Sequence, residues 1–276
     1  MELDVAALDG AREAWRSGRQ ADVCSASIEA VTPGACLEGA CWAATGGGAV
    51  RPLIERWSTV SPLFPTALAA LTTTASLPRP GEHDAPEREL RRCPSRQELV
   101  GLAAGVEWKY FLDRFRRSLT ERLSLSTPRA RGLAGALQEM VDNVIQHAGL
   151  GDQPQGVVAY EVSPGHFWFG VADLGRGVLA SLRENPAHQS VSTDVQALRA
   201  AVTNGASRRP GPGGTGFAQL VRALADLEGH LTFRSGSARL LLDGRGNGSR
   251  VSTFSNSPQM EGFQLSVHGQ PKQSLW

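Results

Sequence analysis

Apolar residues in the run 137–148, Leu-Gln-Glu-Met-Val-Asp-Asn-Val-Ile-Gln-His-Ala, recur every three or four positions, the period of an amphipathic helix. Leu137, Met140, Val141, Val144 and Ile145 mark its core side, while Glu139 and Asn143, four residues apart, share the polar face. Thr127 and Pro128 supply a cap and a first-turn proline, and Gly149 with Gly151 a stop. Upstream, Ser95 with Glu98 forms a capping-box pattern. It opens an apolar stripe through Leu99, Leu102, Val106, Tyr110, Phe111, Phe115 and Leu119, which predicts a leading helix over 95–125. Residues 4–18 carry a weaker helical period, and 21–31 fit a strand or a helix equally. A Gly- and Ala-rich segment follows over 32–50, with Gly46, Gly47 and Gly48 reading as a loop, and 50–75 reads as two short helices parted near Pro62 and Pro65.

The period changes after residue 155. Residues 156–162 and 166–173 are β-rich runs joined by Ser163, Pro164 and Gly165, the signature of an antiparallel hairpin. A helical segment over 193–203 leads into a glycine-rich loop, 204–216, and a helix over 217–228 stopped by Gly229. Four short strands, 231–234, 238–243, 250–255 and 263–267, end the chain. Residues 78–94 hold prolines and dense charge and read as a linker, so the boundary falls there: a smaller helical or mixed domain over 1–94, then a second domain over 95–276.

Composition narrows the class. At 276 residues and 41% hydrophobic, the chain can bury a substantial core. A formal net charge of +1 gives no general electrostatic drive toward nucleic acid or anionic membranes, so neither is expected as a partner. No apolar run approaches the roughly 20 residues of a membrane span, and the N-terminus lacks a secretory pattern; a cytoplasmic location is the expectation. The four cysteines, Cys24, Cys36, Cys41 and Cys93, form no metal-ligand spacing and read as reduced thiols.

Candidate chemistry gathers at three places. Glu139 and Asn143 place a carboxylate and a carboxamide on one helix face, which suits metal and phosphate chemistry but equally a solvated face. The strand 166–173 runs into Asp173, Gly175 and Gly177: a carboxylate at a buried strand end needs a hydrogen-bond donor, and an adenine amino group is one. Gly175 and Gly177 let the backbone approach a flat ring, although acidic turns with glycines are common. The segment Gly211-Pro-Gly-Gly-Thr-Gly216 precedes a helix, so its amides and the helix dipole can receive phosphate oxygens, with Arg208 and Arg209 in the same loop. The triple glycine at 46–48 is not followed by Gly-Lys-Ser/Thr, so it is not a P-loop.

With those residues in order, the segment 128–267 resembles the Bergerat-fold (GHKL) ATPase family of DNA gyrase, the heat-shock chaperones and the histidine kinases. Glu139-x-x-x-Asn143 is similar to the family's N-box, Asp173-x-Gly175-x-Gly177 to its first glycine box, and Gly214, Thr215, Gly216 and Phe217 to its second. The run after Asn143 resembles free-standing and anti-sigma-type bacterial members. The resemblance implies an α+β chain whose C-terminal part is a two-layer sandwich of helices over a mixed sheet, binding Mg-ATP under a mobile lid at about 190–214. It further implies magnesium on Asn143, adenine on Asp173 and a catalytic role for Glu139. The expected function is ATP hydrolysis or γ-phosphate transfer to a partner protein recognised by residues 1–94, in a bacterial-type regulatory system; a homodimer is left open. An alternative is an ATP-gated interaction switch without turnover. The family's adenine-side threonine is replaced, since Gly262 is followed by Phe263, and Thr253 is left as a substitute; no phosphoacceptor helix of the histidine-kinase kind is present.

Overall fold

A computed structural model describes residues 2–20, 28–46, 56, 57, 59–61, 63–72, 96–102, 108–147, 156–203, 205, 206, 215–224, 227–243 and 251–271. The linker read over 78–94 lies outside them, as do Arg208, Arg209 and Gly214. The chain order is β1 (Glu2–Leu3), α1 (Val5–Arg16), β2 (Ala30–Val31), α2 (Pro33–Thr45), α3 (Leu63–Thr72), β3 (Arg96–Gly101), α4 (Trp108–Leu123) and α5 (Thr127–His147). Then come β4 (Gly156–Ser163), β5 (His166–Asp173), α6 (Gly177–Arg183), α7 (Asp194–Thr203), α8 (Thr215–Ala223), β6 (Leu227–Asp243) and β7 (Val251–Pro271). The chain is α+β. Its main sheet has the order β3-β4-β5-β7-β6 and every pairing in it is antiparallel, which corrects the expected mixed sheet.

Nearly every residue of β4 and β5 is buried, so both faces of the central sheet must be covered. On one face Val158, Tyr160, Phe167, Phe169, Val171, Leu231 and Leu265 pack with Phe111 and Phe115 of α4 and with Leu137, Met140, Val141 and Val144 of α5. On the other, Val157, Ala159, Trp168 and Ala172 pack with Leu8 of α1, Leu37 and Cys41 of α2 and Phe64 of α3. The N-terminal helices thus add a third layer to the two expected of the C-terminal part. The Gly- and Ala-rich segment after residue 32 forms α2: Thr32 caps it through Ala35 N–H, and Gly39 gives Phe64 and Trp57 room to approach the helix.

Four further expectations change. The leading helix starts only at Trp108, because 96–101 is the edge strand β3, where Glu98 accepts from Arg114 Nε and Tyr160 Oη, each at 2.7 Å. The helix read over 217–228 ends at Ala223, and Gly229 lies within β6. The four terminal strands are two long ones, joined across a bulge near Gly236. Ile145 and Tyr110, read as core positions, are exposed. Among the described residues no helix is long and apolar enough to cross a membrane.

Five charged side chains tie the N-terminal layer to the sheet. Arg12 donates to Glu38 Oε1 at 2.5 Å, and Arg234 on β6 reaches the same carboxylate as well as Asp9 Oδ1 at 2.6 Å. Arg239 pairs with the other oxygen of Asp9. Arg12, Glu38 and Arg234 are buried. Burial opposes charge on both partners of the Arg12–Glu38 pair, raising the Glu38 pKa and lowering that of Arg12, while their mutual attraction works the other way.

Candidate nucleotide site

Asp173 ends β5, and the alternation along that strand points it to the α5 face with Phe167, Phe169 and Val171. It is 1% exposed. Its Oδ1 accepts from Gly175 N–H at 2.6 Å, and Phe263 N–H also donates to the carboxyl. Burial raises its pKa to about 7, and the two amide donors only partly offset that rise. The group is thus a dry acceptor held at a strand end with main-chain partners, poised between its charged and neutral forms near pH 7.

Elements that carry described residues of all three sequence motifs pack around this end of the sheet. In β4, Gly156 stands directly opposite Asp173, and a Cβ on it would meet Val144 of α5 at 2.8 Å. The C-terminal half of α5, with half-buried Glu139 and Asn143 on one face, therefore lies over the strand end that carries Asp173. On the other flank Asp173 pairs with Phe263. Phe263 packs edge-on against Phe233 at 5.6 Å, and Phe233 stacks on Phe217 from the first turn of α8 at 6.1 Å. Thr215 and Gly216 begin that helix. The helix α7, inside the segment read as a lid, buries Ala197 and Leu198 against β6, and Arg199 lies 4.4 Å over the ring of Phe254.

The glycine turn is built by contacts that the sequence does not display. Gly177 opens α6 at φ +75°, a region that favours glycine. A Cβ there would stand 2.9 Å from Ser235 Oγ. Ser235 accepts from Val178 N–H at 2.9 Å and donates to Gly262 O at 3.0 Å, clamping the turn to β7. Gly262, at φ +68°, leaves no space for a side chain, since a Cβ would overlap the backbone oxygen of Asp173. Gly262→Ala is therefore expected to destabilise the protein by about 2–4 kcal/mol, read as a lowered urea midpoint with unchanged slope. Ser235 had no sequence signal; Gly262 had one, its place before Phe263.

Thr253 does not stand near Asp173. It pairs with Leu241 in the outer part of β7, six positions along β6 from Ser235, the partner of Phe263, or roughly 20 Å along the sheet. Phe263 occupies the neighbouring position instead. An open cleft of about 480 Å³ borders the turn, lined by Gly175, Gly177, Asp194, Ser235 and Gly262 among others, with neither Asp173 nor any residue of α5 in its wall. Cys36 and Cys41 are free and buried, and burial raises both thiol pKa values, that of Cys36 to about 11. Among the described residues no cluster of three or more His, Cys, Asp or Glu could hold a metal.

No protein-family model matches the sequence, and no curated protein matches it.

Proposed function

We propose that the chain binds Mg-ATP at the Asp173 end of the sheet through a Bergerat-type site, and hydrolyses ATP or transfers its γ-phosphate to a partner protein. The observation that carries the reading is the buried Asp173 carboxyl, held by two main-chain amides and walled by Gly262. Its chemistry fits an adenine amino group, a donor that would meet a desolvated acceptor. Gly175 and Gly177 leave the ring edge free of side chains. Asn143 would hold magnesium through its amide oxygen; that ion takes few protein ligands besides phosphate and water, so one such residue fits it. Bound magnesium would neutralise charge on the phosphates. The loop before α8, with Arg208, Arg209 and Gly214, would receive phosphate oxygens alongside the amides of Thr215, Gly216 and Phe217.

Glu139, one turn before Asn143 on the same face, would orient the water or hydroxyl that attacks the γ-phosphate. The N-terminal layer would carry partner recognition, in a regulatory system of bacterial type and in the cytoplasm. Phosphate release from ATP tests the catalytic part. Glu139→Ala is expected to lower turnover by about 10²–10⁴-fold with ATP affinity within about threefold of wild type. Equal and negligible release by both proteins, with ATP still bound, would leave a nucleotide-gated switch in place of an enzyme.

A further inference from the structure

Between Ser235 and Ala238 of β6 the partner strand β7 carries a wide bulge. Ser235 pairs with Phe263, Gly236 with Met260 and Ala238 with Asn256, so residues 261 and 262 have no residue of β6 opposite them and 257–259 face only Ser237. Carbonyls in such a bulge lose their ladder partners and must find others. Three side chains supply them: Arg234 donates to Pro258 O at 2.9 Å, Arg16 of α1 to Gln259 O at 2.7 Å, and Ser235 to Gly262 O at 3.0 Å. The far end of the same bulge is Gly262, which lies against the Asp173 backbone, and the next residue, Phe263, donates its amide to the Asp173 carboxyl. One face of the bulge is thus held by the N-terminal layer and the other forms the wall of Asp173.

We propose that the bulge couples the N-terminal layer to the nucleotide site, with Arg16 as a positioning residue that acts on Asp173 through Gln259, Gly262 and Phe263. The proposal rests on the nucleotide reading for its ligand but not for its geometry. Arg16 is exposed and 243 residues from Gln259 in sequence. A partner seated on α1 can therefore take the guanidinium away without disturbing the core. Arg234, the second grip, is locked beneath the layer by Asp9 and Glu38, which leaves Arg16 as the adjustable one.

The full chain carrying Arg16→Ala or Arg16→Lys tests this by hydrogen–deuterium exchange without nucleotide and by titration with Mg-ATP. In Arg16→Ala, amides of 257–263 and of 173–178 are expected to exchange about three- to tenfold faster, those of 156–163 to stay unchanged, and ATP to bind weaker by a similar factor. Arg16→Lys, which keeps a charged donor without the guanidinium fork, is expected to restore part of each effect. Faster exchange confined to 257–263, with 173–178 and ATP affinity unchanged, would overturn the coupling, as would no change in either segment. Joint loosening of both segments in a protein that binds no ATP even as wild type would support the coupling and overturn the nucleotide reading.

Discussion

Asp173→Asn is expected to weaken ATP binding by about ten- to hundredfold, the range for losing a hydrogen bond to a charged group, while making the nucleotide-free protein more stable at pH 8. The second effect follows from linkage. The carboxyl has a pKa of about 7 when folded, against about 3.9 in an unfolded chain. Between those values the folded protein keeps a proton that the unfolded chain releases, so stability falls as pH rises through the interval. Below about pH 4 both states are protonated and the penalty is absent; above 7 it is fully present, about 4 kcal/mol. Asparagine has no charge to desolvate, although one of its amide donors will lack a partner at a cost of about 1–3 kcal/mol. The net gain at pH 8 is about 2 kcal/mol, and at pH 4 the variant is less stable than wild type. Urea midpoints at the two pH values check the crossing; a variant destabilised equally at both would contradict the pKa shift.

The largest loss of stability is expected from Glu38→Ala. Glu38 is the carboxylate shared by Arg12 and Arg234, all three are buried, and its removal leaves the buried Arg12 guanidinium without its carboxylate and Arg234 with Asp9 as its remaining one. Breaking a buried pair in this way costs about 3–5 kcal/mol. Replacing the trio together, as Glu38→Leu, Arg12→Leu and Arg234→Met, is expected to recover most of that, because the desolvation penalty goes with the charges. Denaturant unfolding of both variants measures the contrast, and a Glu38→Ala loss under about 1 kcal/mol would show that the network contributes little.

The hairpin of β4 and β5 and the helix α5 were legible because their signals are local: Gly165 at φ +87° closes the turn, and Leu137, Met140, Val141 and Val144 face the core as their spacing predicts. The α+β class follows from those elements. The sequence of β3 fits a helix, since Leu99 and Leu102 are three apart and Glu98 follows Ser95 by three; the carboxylate instead bridges Arg114 and Tyr160, partners 16 and 62 residues away. In β6 and β7, glycines that read as strand ends are the points where the ladder shifts register and continues. The helix α2 was hidden by glycines that serve packing against Phe64 and Trp57.

Of the candidate site, Asp173, Gly175, Gly177 and Phe217 are brought to one sheet end together with the helix bearing Glu139 and Asn143. What sequence could not show is what surrounds them. Ser235 and Gly262 act on Asp173 from strands 62 and 89 positions on, and the charges of Arg12 and Glu38 look solvated until the third layer covers them. Such contacts depend on tertiary placement, which no local period encodes.

Calorimetric titration of the wild-type protein with Mg-ATP between pH 6 and 9 tests the central claim most directly. One site is expected, with affinity constant above about pH 8 and falling about tenfold by pH 6, as Asp173 takes up a proton near pH 7 and becomes a weaker, uncharged acceptor for the adenine amino group. An absence of binding, or an affinity that stays level across that range, would contradict it.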